Sequence, residues 1–239
     1  MADSDSASQG CGGVSRRSFL GGSVTGIAGG ILGGVSMEIF DAETLEAQTN
    51  MTPDESLRHL MEGNERFVSG KLTELNTSLN LIRQRTVEKQ EPFAAVLSCA
   101  DSRVPVELVF DQTIGELFVA RVAGNFTTPE ITGTLEYGVA VLGTRVLMVL
   151  GHSGCGAVQA TMDAKTVPGE ISSLFEHIQP AVDVSGGDLE KAIKENARRQ
   201  AKLLGESSPV LSGFVKEGKL KIVAGYYDLG TGKVSLLEG

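Results

Sequence analysis

Apolar positions along this chain follow two rhythms. Residues 93–97, 145–150 and 220–227 form short, nearly unbroken hydrophobic runs with the length of strands buried on both faces. Elsewhere the apolar residues recur every three or four positions, as on one face of a helix. Leu57, Leu60, Met61 and Phe67 make such a face behind Thr52-Pro53, a cap followed by proline at the first helical position. Residues 132–142, 171–184 and 189–204 read as further helices, the last two parted by Ser185-Gly186-Gly187. Residues 108–122 read as strand-like apolar segments, 127–129 as the start of a loop, and 220–227 as the last strand. Helices alternating with buried strands predict an α/β fold, a mostly parallel β-sheet flanked by helices in a single domain over residues 52–239. About 190 residues bury enough apolar surface to fold without covalent staples.

The segment ahead of that domain follows neither rhythm. Residues 19–35 are apolar, free of charge and rich in glycine, and Arg16-Arg17 stand just before them. A basic pair ahead of a moderately apolar run resembles a twin-arginine export signal, which predicts a leader over residues 1–47 and a periplasmic or otherwise exported protein. Seven glycines between Gly21 and Gly34 weaken the run as a membrane helix, and retention of the leader as an anchor stays open. Cys11 precedes the run and goes with the leader. The formal net charge of −9 falls to −5 without residues 1–47, with 24 acids against 19 bases. No concentrated basic face is left for nucleic acid.

Chemistry collects at the ends of two predicted strands. Cys99-Ala100-Asp101-Ser102-Arg103 follows the first, and His152-Ser153-Gly154-Cys155-Gly156 follows the second. Two thiols and an imidazole form a Cys2His set, three protein ligands that leave a fourth zinc position open, as catalytic zinc sites do. If the chain stays extended past Cys99, the period of two aims Cys99, Asp101 and Arg103 to one side. Ser153-Gly154 turns the chain so that Cys155 starts a helix, where the dipole and free amides stabilise a thiolate. The carboxyl edge of a parallel sheet is where open α/β folds place their sites. Buried structural cysteines or a Cys99–Cys155 disulfide are the competing readings.

Cys-x-Asp-x-Arg followed about fifty residues later by His-x-x-Cys resembles the β-class carbonic anhydrases. The resemblance runs from about Thr52 to the C-terminus. It takes in residues 57–70, 115–125, Glu136-Tyr137, 225–228 and 232–234. It implies one Zn2+ per chain on Cys99, His152 and Cys155, and reversible hydration of carbon dioxide to bicarbonate and a proton. Asp101 orients the attacking water and Arg103 restrains Asp101. Should that pair open, Asp101 becomes a fourth ligand in a closed site. Gln90, Phe118, Tyr137 and the amide of Gly156 match the substrate pocket, and Ala123 stands where plant members carry a larger valine. The resemblance also implies an intertwined homodimer or higher homo-oligomer with the pocket at its interface. The absence of tryptophan favours the open, non-switching type. Two thiolates cancel the metal's charge, so activity is expected to rise toward alkaline pH. His59 and His177 are expected at surface helix positions. The alternatives are a zinc hydrolase of carbonyl sulfide or carbon disulfide, and a non-enzymatic zinc or thiol redox protein.

The export reading has its own test. Replacing both Arg16 and Arg17 with Lys is expected to strand the protein in the cytoplasm, read by fractionation of the expressing cells. Normal levels of the double variant outside the inner membrane would overturn it.

Overall fold

In a computed structural model, residues 49–73 and 79–238 are described; the expected leader of residues 1–47 lies outside them. Five strands form one sheet: β1 (Ala94–Ser98), β2 (Leu117–Arg121), β3 (Val146–His152), β4 (Lys221–Tyr227) and β5 (Val234–Leu237). Their spatial order is β2-β1-β3-β4-β5, parallel through β4, with β5 antiparallel to β4. The predicted mostly parallel sheet is therefore present. Residues 220–227 do not close it, because a hairpin adds β5 at the edge. The helices are α1 (Pro53–Val68), α2 (Leu79–Thr86), α3 (Val106–Val109), α4 (Pro129–Ala140), α5 (Gly156–Met162), α6 (Phe175–Asp183), α7 (Leu189–Ser207) and α8 (Pro209–Lys216). Gly169–Leu174 forms a 3-10 turn leading into α6. Among the described residues no helix is long and apolar enough to cross a membrane.

Every residue of β1 and β3 is buried, and their alternation sorts two cores. Ala94, Val96, Met148 and Leu150 face Leu60 of α1 and Val106, Val109 and Phe110. Ala95, Leu97, Leu147 and Val149 face the other way, onto Leu135, Leu204 and Leu211 of α4, α7 and α8. Helices thus cover both faces of the sheet, as a run of apolar strands without polar alternation requires.

Local chemistry explains most boundaries. Thr52 caps α1, with Pro53 in its first turn and Glu55 completing a capping box. Thr128 caps α4 with Pro129 in the first turn, so that helix starts three residues before the expected 132. Residues 108–122 are only partly strand. Val106–Val109 winds into a short helix behind Pro105, and only Leu117–Arg121 joins the sheet. Residues 171–184 divide between the 3-10 turn and α6. The helices α2 and α8 were not expected, being short segments without a long periodic stripe.

Asn64 fastens α1 to the end of α3 and to the β4–β5 hairpin. It is 2% exposed; its Nδ2 donates to Val109 O at 3.0 Å and Gly232 O at 2.9 Å, and its Oδ1 accepts from Val234 N at 2.8 Å. Asn64→Ala strips three buried backbone groups of their partner, and we expect a loss of about 3 kcal/mol in a denaturant titration. Glu62→Ala on the exposed side of α1 should stay within about 0.5 kcal/mol of the parent. Equal midpoints for the two variants would overturn this account.

Candidate active site

The site is built at the carboxyl edge of β1 and β3. Ser98 ends β1, and Val122 N donates to its carbonyl at 3.1 Å while Ala100 N donates to Val122 O at 3.3 Å. Cys99 lies between them, 4% exposed. His152 is the last residue of β3 rather than the first after it. Gly154 then turns at φ +62°, and Cys155 caps α5. The ligand atoms of Cys99, His152 and Cys155 lie within 4.8 Å of one another, and all three residues are buried. The sequence-predicted trio is one cluster.

Its donor chemistry suits a metal ion. The sulfurs of Cys99 and Cys155 stand 3.9 Å apart, both free. Two sulfurs bound at 2.3 Å to one tetrahedral ion sit about 3.8 Å apart, whereas a disulfide holds them at about 2.05 Å. His152 Nδ1 lies 3.0 Å from Ser153 O, so the opposite nitrogen carries the lone pair. That Nε2 atom is buried and has no hydrogen-bond partner. A fully buried imidazole nitrogen without a partner is costly unless an ion takes it. The residues present fit a zinc ion.

The two thiols are electrostatically one unit. A hydrogen bond joins the two sulfurs, and this bond, with the Gly124 amide, draws the Cys99 thiol well below its ordinary pKa against the opposing effect of burial. The same bond, with burial, pushes Cys155 upward despite the amides at the start of α5. A divalent cation bound there would displace the thiol protons.

Asp101 and Arg103 meet through a turn rather than strand alternation. Val104 N donates to Asp101 O at 3.1 Å, which corrects the expected extended path past Cys99. The turn gives Asp101 Oδ1 the Arg103 amide at 2.9 Å and Nε at 3.0 Å, and gives Oδ2 the Arg103 Nη2 at 2.8 Å. These donors hold the Asp101 carboxyl well below the usual carboxylate range, the side-chain bond from Arg103 being the largest cause. Asp101 Oδ2 is 3.9 Å from His152 Nε2, yet Asp101 stands outside the three-residue ligand cluster. Arg103 Nη2 also reaches Gly154 O at 3.3 Å, joining the two loops.

Residues that sequence reasoning missed hold this frame. Arg121 Nε donates to Cys99 O at 3.0 Å and its Nη2 to Asp101 O at 2.6 Å. Ser153 N donates to Tyr227 O at 2.9 Å, and Leu229 N donates to Ser153 Oγ at 2.9 Å. That fixes the carbonyl facing His152. An arginine ending a strand and a serine in a turn are ordinary in a sequence, so neither gave a signal.

Of the expected pocket residues, Gly156 adjoins the cluster next to Cys155, while Gln90 and Tyr137 lie apart from it. Gln90 and Tyr137 line an open cavity of about 670 Å³ with Val87, Ile114, Leu117 and Val141. None of the three metal-cluster residues lines it. Phe118 packs beside Tyr137, ring centroids 6.2 Å apart. Gly156 opens α5 on the exposed side. Within one chain, then, Gln90 and Tyr137 are not brought to the cluster. His59 and His177 are on helices as expected, but each is half-buried against a ring: His59 edge-on to Phe93 at 5.0 Å, His177 stacked on Phe126 at 4.4 Å.

This geometry has known counterparts. The family described as "Carbonic anhydrase" matches residues 94–234, from the first residue of β1 to the first of β5. Carbonic anhydrase 2 of Mycobacterium tuberculosis is 35% identical over 197 residues, covering 79% of this chain and 95% of that protein. The carbonic anhydrase of Mycolicibacterium smegmatis is 35% identical over 198 residues, covering 78% and 94%. Among solved structures, the β-carbonic anhydrase CcaA superposes with a TM-score of 0.62 at 26% identity, over 77% of this chain and 88% of that one. The Coccomyxa β-carbonic anhydrase in complex with acetazolamide has the same fold, with a TM-score of 0.59 at 24% identity over 76% and 86% of the two chains. Such a fold with such a site defines an α/β enzyme of the carbonic anhydrases. The chain belongs to that family, in its β class.

Proposed function

We propose that this protein hydrates carbon dioxide reversibly to bicarbonate and a proton, using one zinc ion per chain held by Cys99, His152 and Cys155. The observation that carries the reading is the orphaned, fully buried Nε2 of His152 facing two unbridged sulfurs beside an arginine-held carboxylate. Zinc bound there supplies the Lewis acidity that makes water a nucleophile near neutral pH. This chain's own residues do the rest. Asp101, kept ionised by Arg103, accepts a hydrogen bond from the attacking water and so aims its lone pair at the carbon of the substrate. Arg103 spends its guanidinium on both Asp101 oxygens and on Gly154 O, which keeps the carboxylate turned from the ligand position. Two thiolates from Cys99 and Cys155 would neutralise the cation and make its water less acidic than in a three-histidine site, so activity is expected to rise with pH.

Binding of the substrate involves a second copy of the chain. The edge strand β2 lies next to exposed Val87, Ile114, Tyr137 and Val141, and an open apolar edge invites pairing. In such a homodimer the cavity holding Gln90 and Tyr137 closes over the partner's cluster, with Gln90 as an amide donor to the substrate oxygen and Phe118 and Tyr137 as apolar wall. The Gly156 amide, a free first-turn N–H, faces the product's oxygen. The sequence further supports export of the protein by the twin-arginine machinery.

Two variants test the reading. Cys155→Ser should abolish bound zinc and stopped-flow carbon dioxide hydration together; one zinc per chain with normal hydration would sink it. Arg103→Ala leaves the three ligands in place but frees Asp101, and a carboxylate beside a divalent cation gains strongly by moving onto it. That variant should keep its zinc and lose more than about tenfold in kcat, with a fourth protein ligand visible by X-ray absorption. Near-normal turnover with a three-ligand site would make Arg103 a mere surface charge.

A further inference from the structure

Two amides buried on α7 reach the metal cluster through one loop. Asn196 is fully buried and Gln200, one turn on, is 2% exposed. Their neighbours Ile193, Ala197, Ala201 and Leu204 are core residues, so leucine would be the ordinary occupant of either position. Instead Asn196 Nδ2 donates to Gly124 O at 2.8 Å. Gln200 Oε1 accepts from Thr127 N at 3.0 Å and Thr127 Oγ1 at 2.9 Å, and its Nε2 donates to His177 O at 3.3 Å. The two amides are in contact, Gln200 Nε2 lying 3.4 Å from Asn196 Oδ1. Just ahead of those anchors the loop turns the Gly124 amide onto Cys99 Sγ at 3.3 Å. Only glycine suits that spot: its φ is +89°, and a Cβ would stand 2.6 Å from Ile178 Cδ1.

We infer that Asn196, backed by Gln200, is a positioning residue that holds residues 124–127 so that the Gly124 N–H hydrogen-bonds the Cys99 sulfur. Buried polar side chains cost stability unless every group is paired, and here three bonds go to residues 124–127 while Gln200 Nε2 ties the pair to α6 through His177 O. An N–H aimed at a thiolate draws electron density from it and lowers its donation to a metal ion, as partners outside the ligand set generally tune a site. The inference rests on the proposed metal centre.

The test uses metal-substituted holoprotein. With 113Cd in place of zinc, the parent should show a scalar coupling between the Gly124 amide proton and the metal through the N–H···S bond. With cobalt(II), it should show a sulfur-to-metal charge-transfer band. Asn196→Leu is expected to lose the coupling and move the band to longer wavelength. Gln200→Leu should do the same at smaller amplitude, and serves if Asn196→Leu does not fold. Leu204→Ala, a cavity in the same helix, should lower thermal stability while leaving coupling and band in place. An unshifted band with the coupling retained in the α7 variants overturns the inference, as does an equal effect of Leu204→Ala or no coupling in the parent. Absence of any sulfur-to-cobalt band in the parent would instead remove the metal centre on which the inference stands.

Discussion

Everything at the site depends on the parallel pairing of β1 with β3. The register sets Ser98 against Leu150, so Cys99 follows at the level of Gly151 and His152 stands one step beyond. A slip of one residue would turn His152 to the opposite face of the sheet and carry its imidazole away from Cys99. The register is itself held by burial, since each strand sends alternate side chains into a different core. Next along the sheet, β4 supplies the third constraint: His152 pairs with Tyr227, and the same edge anchors Ser153 through Tyr227 O and Leu229 N. Ligands 53 residues apart in sequence are thereby placed by the core rather than by their own loops.

Electrostatics at this edge work by direction more than by strength. The Arg103 side chain is 57% exposed, and an ion pair that wet adds little to stability. Its two side-chain bonds to Asp101, with a third from its backbone amide, instead fix where the carboxylate points. Arg121 binds the carbonyls of Cys99 and Asp101, so that the segment leading into the Asp101–Val104 turn keeps its shape. Two guanidinium groups thus act as braces around a charged aspartate, holding it near the proposed metal position and off it.

The Cys99–His152–Cys155 cluster and the sheet were legible in the sequence because both leave local marks. Unbroken apolar runs followed at once by cysteine or histidine announce strands whose ends carry chemistry. Expectations that relied on extrapolation fared less well. Extending strand alternation from Cys99 to Arg103 gave the right neighbours through the wrong geometry, since a turn rather than a strand brings Arg103 to Asp101. Residues 108–122 are apolar throughout much of their length, and hydrophobicity alone does not separate the turn of helix behind Pro105 from the strand Leu117–Arg121. The strand β5 was hidden by its weak alternation and exposed face. Asn196, Gln200, Ser153 and Arg121 could not be found at all, because their importance lies in contacts 20 to 76 residues away.

The division between cluster and pocket has a physical reason. A parallel sheet concentrates ligands at the carboxyl ends of its central strands, where burial keeps the sulfurs dry. Substrate must still enter, so the walls of its path cannot come from those same strands. Here the candidate wall residues sit on the edge strand β2, on α4 and in the segment before β1. An edge strand with half-buried Leu117, Phe118 and Val119 is a surface that a lone chain leaves incomplete. In the proposed dimer one act of association covers that edge and roofs the metal cluster with Gln90 and Tyr137. Stability of the assembly and access to the site then become one quantity: loosening the β2 edge would remove the amide donor and the apolar wall together, while the buried Cys2His cluster, held by β1, β3 and β4 of its own chain, would persist.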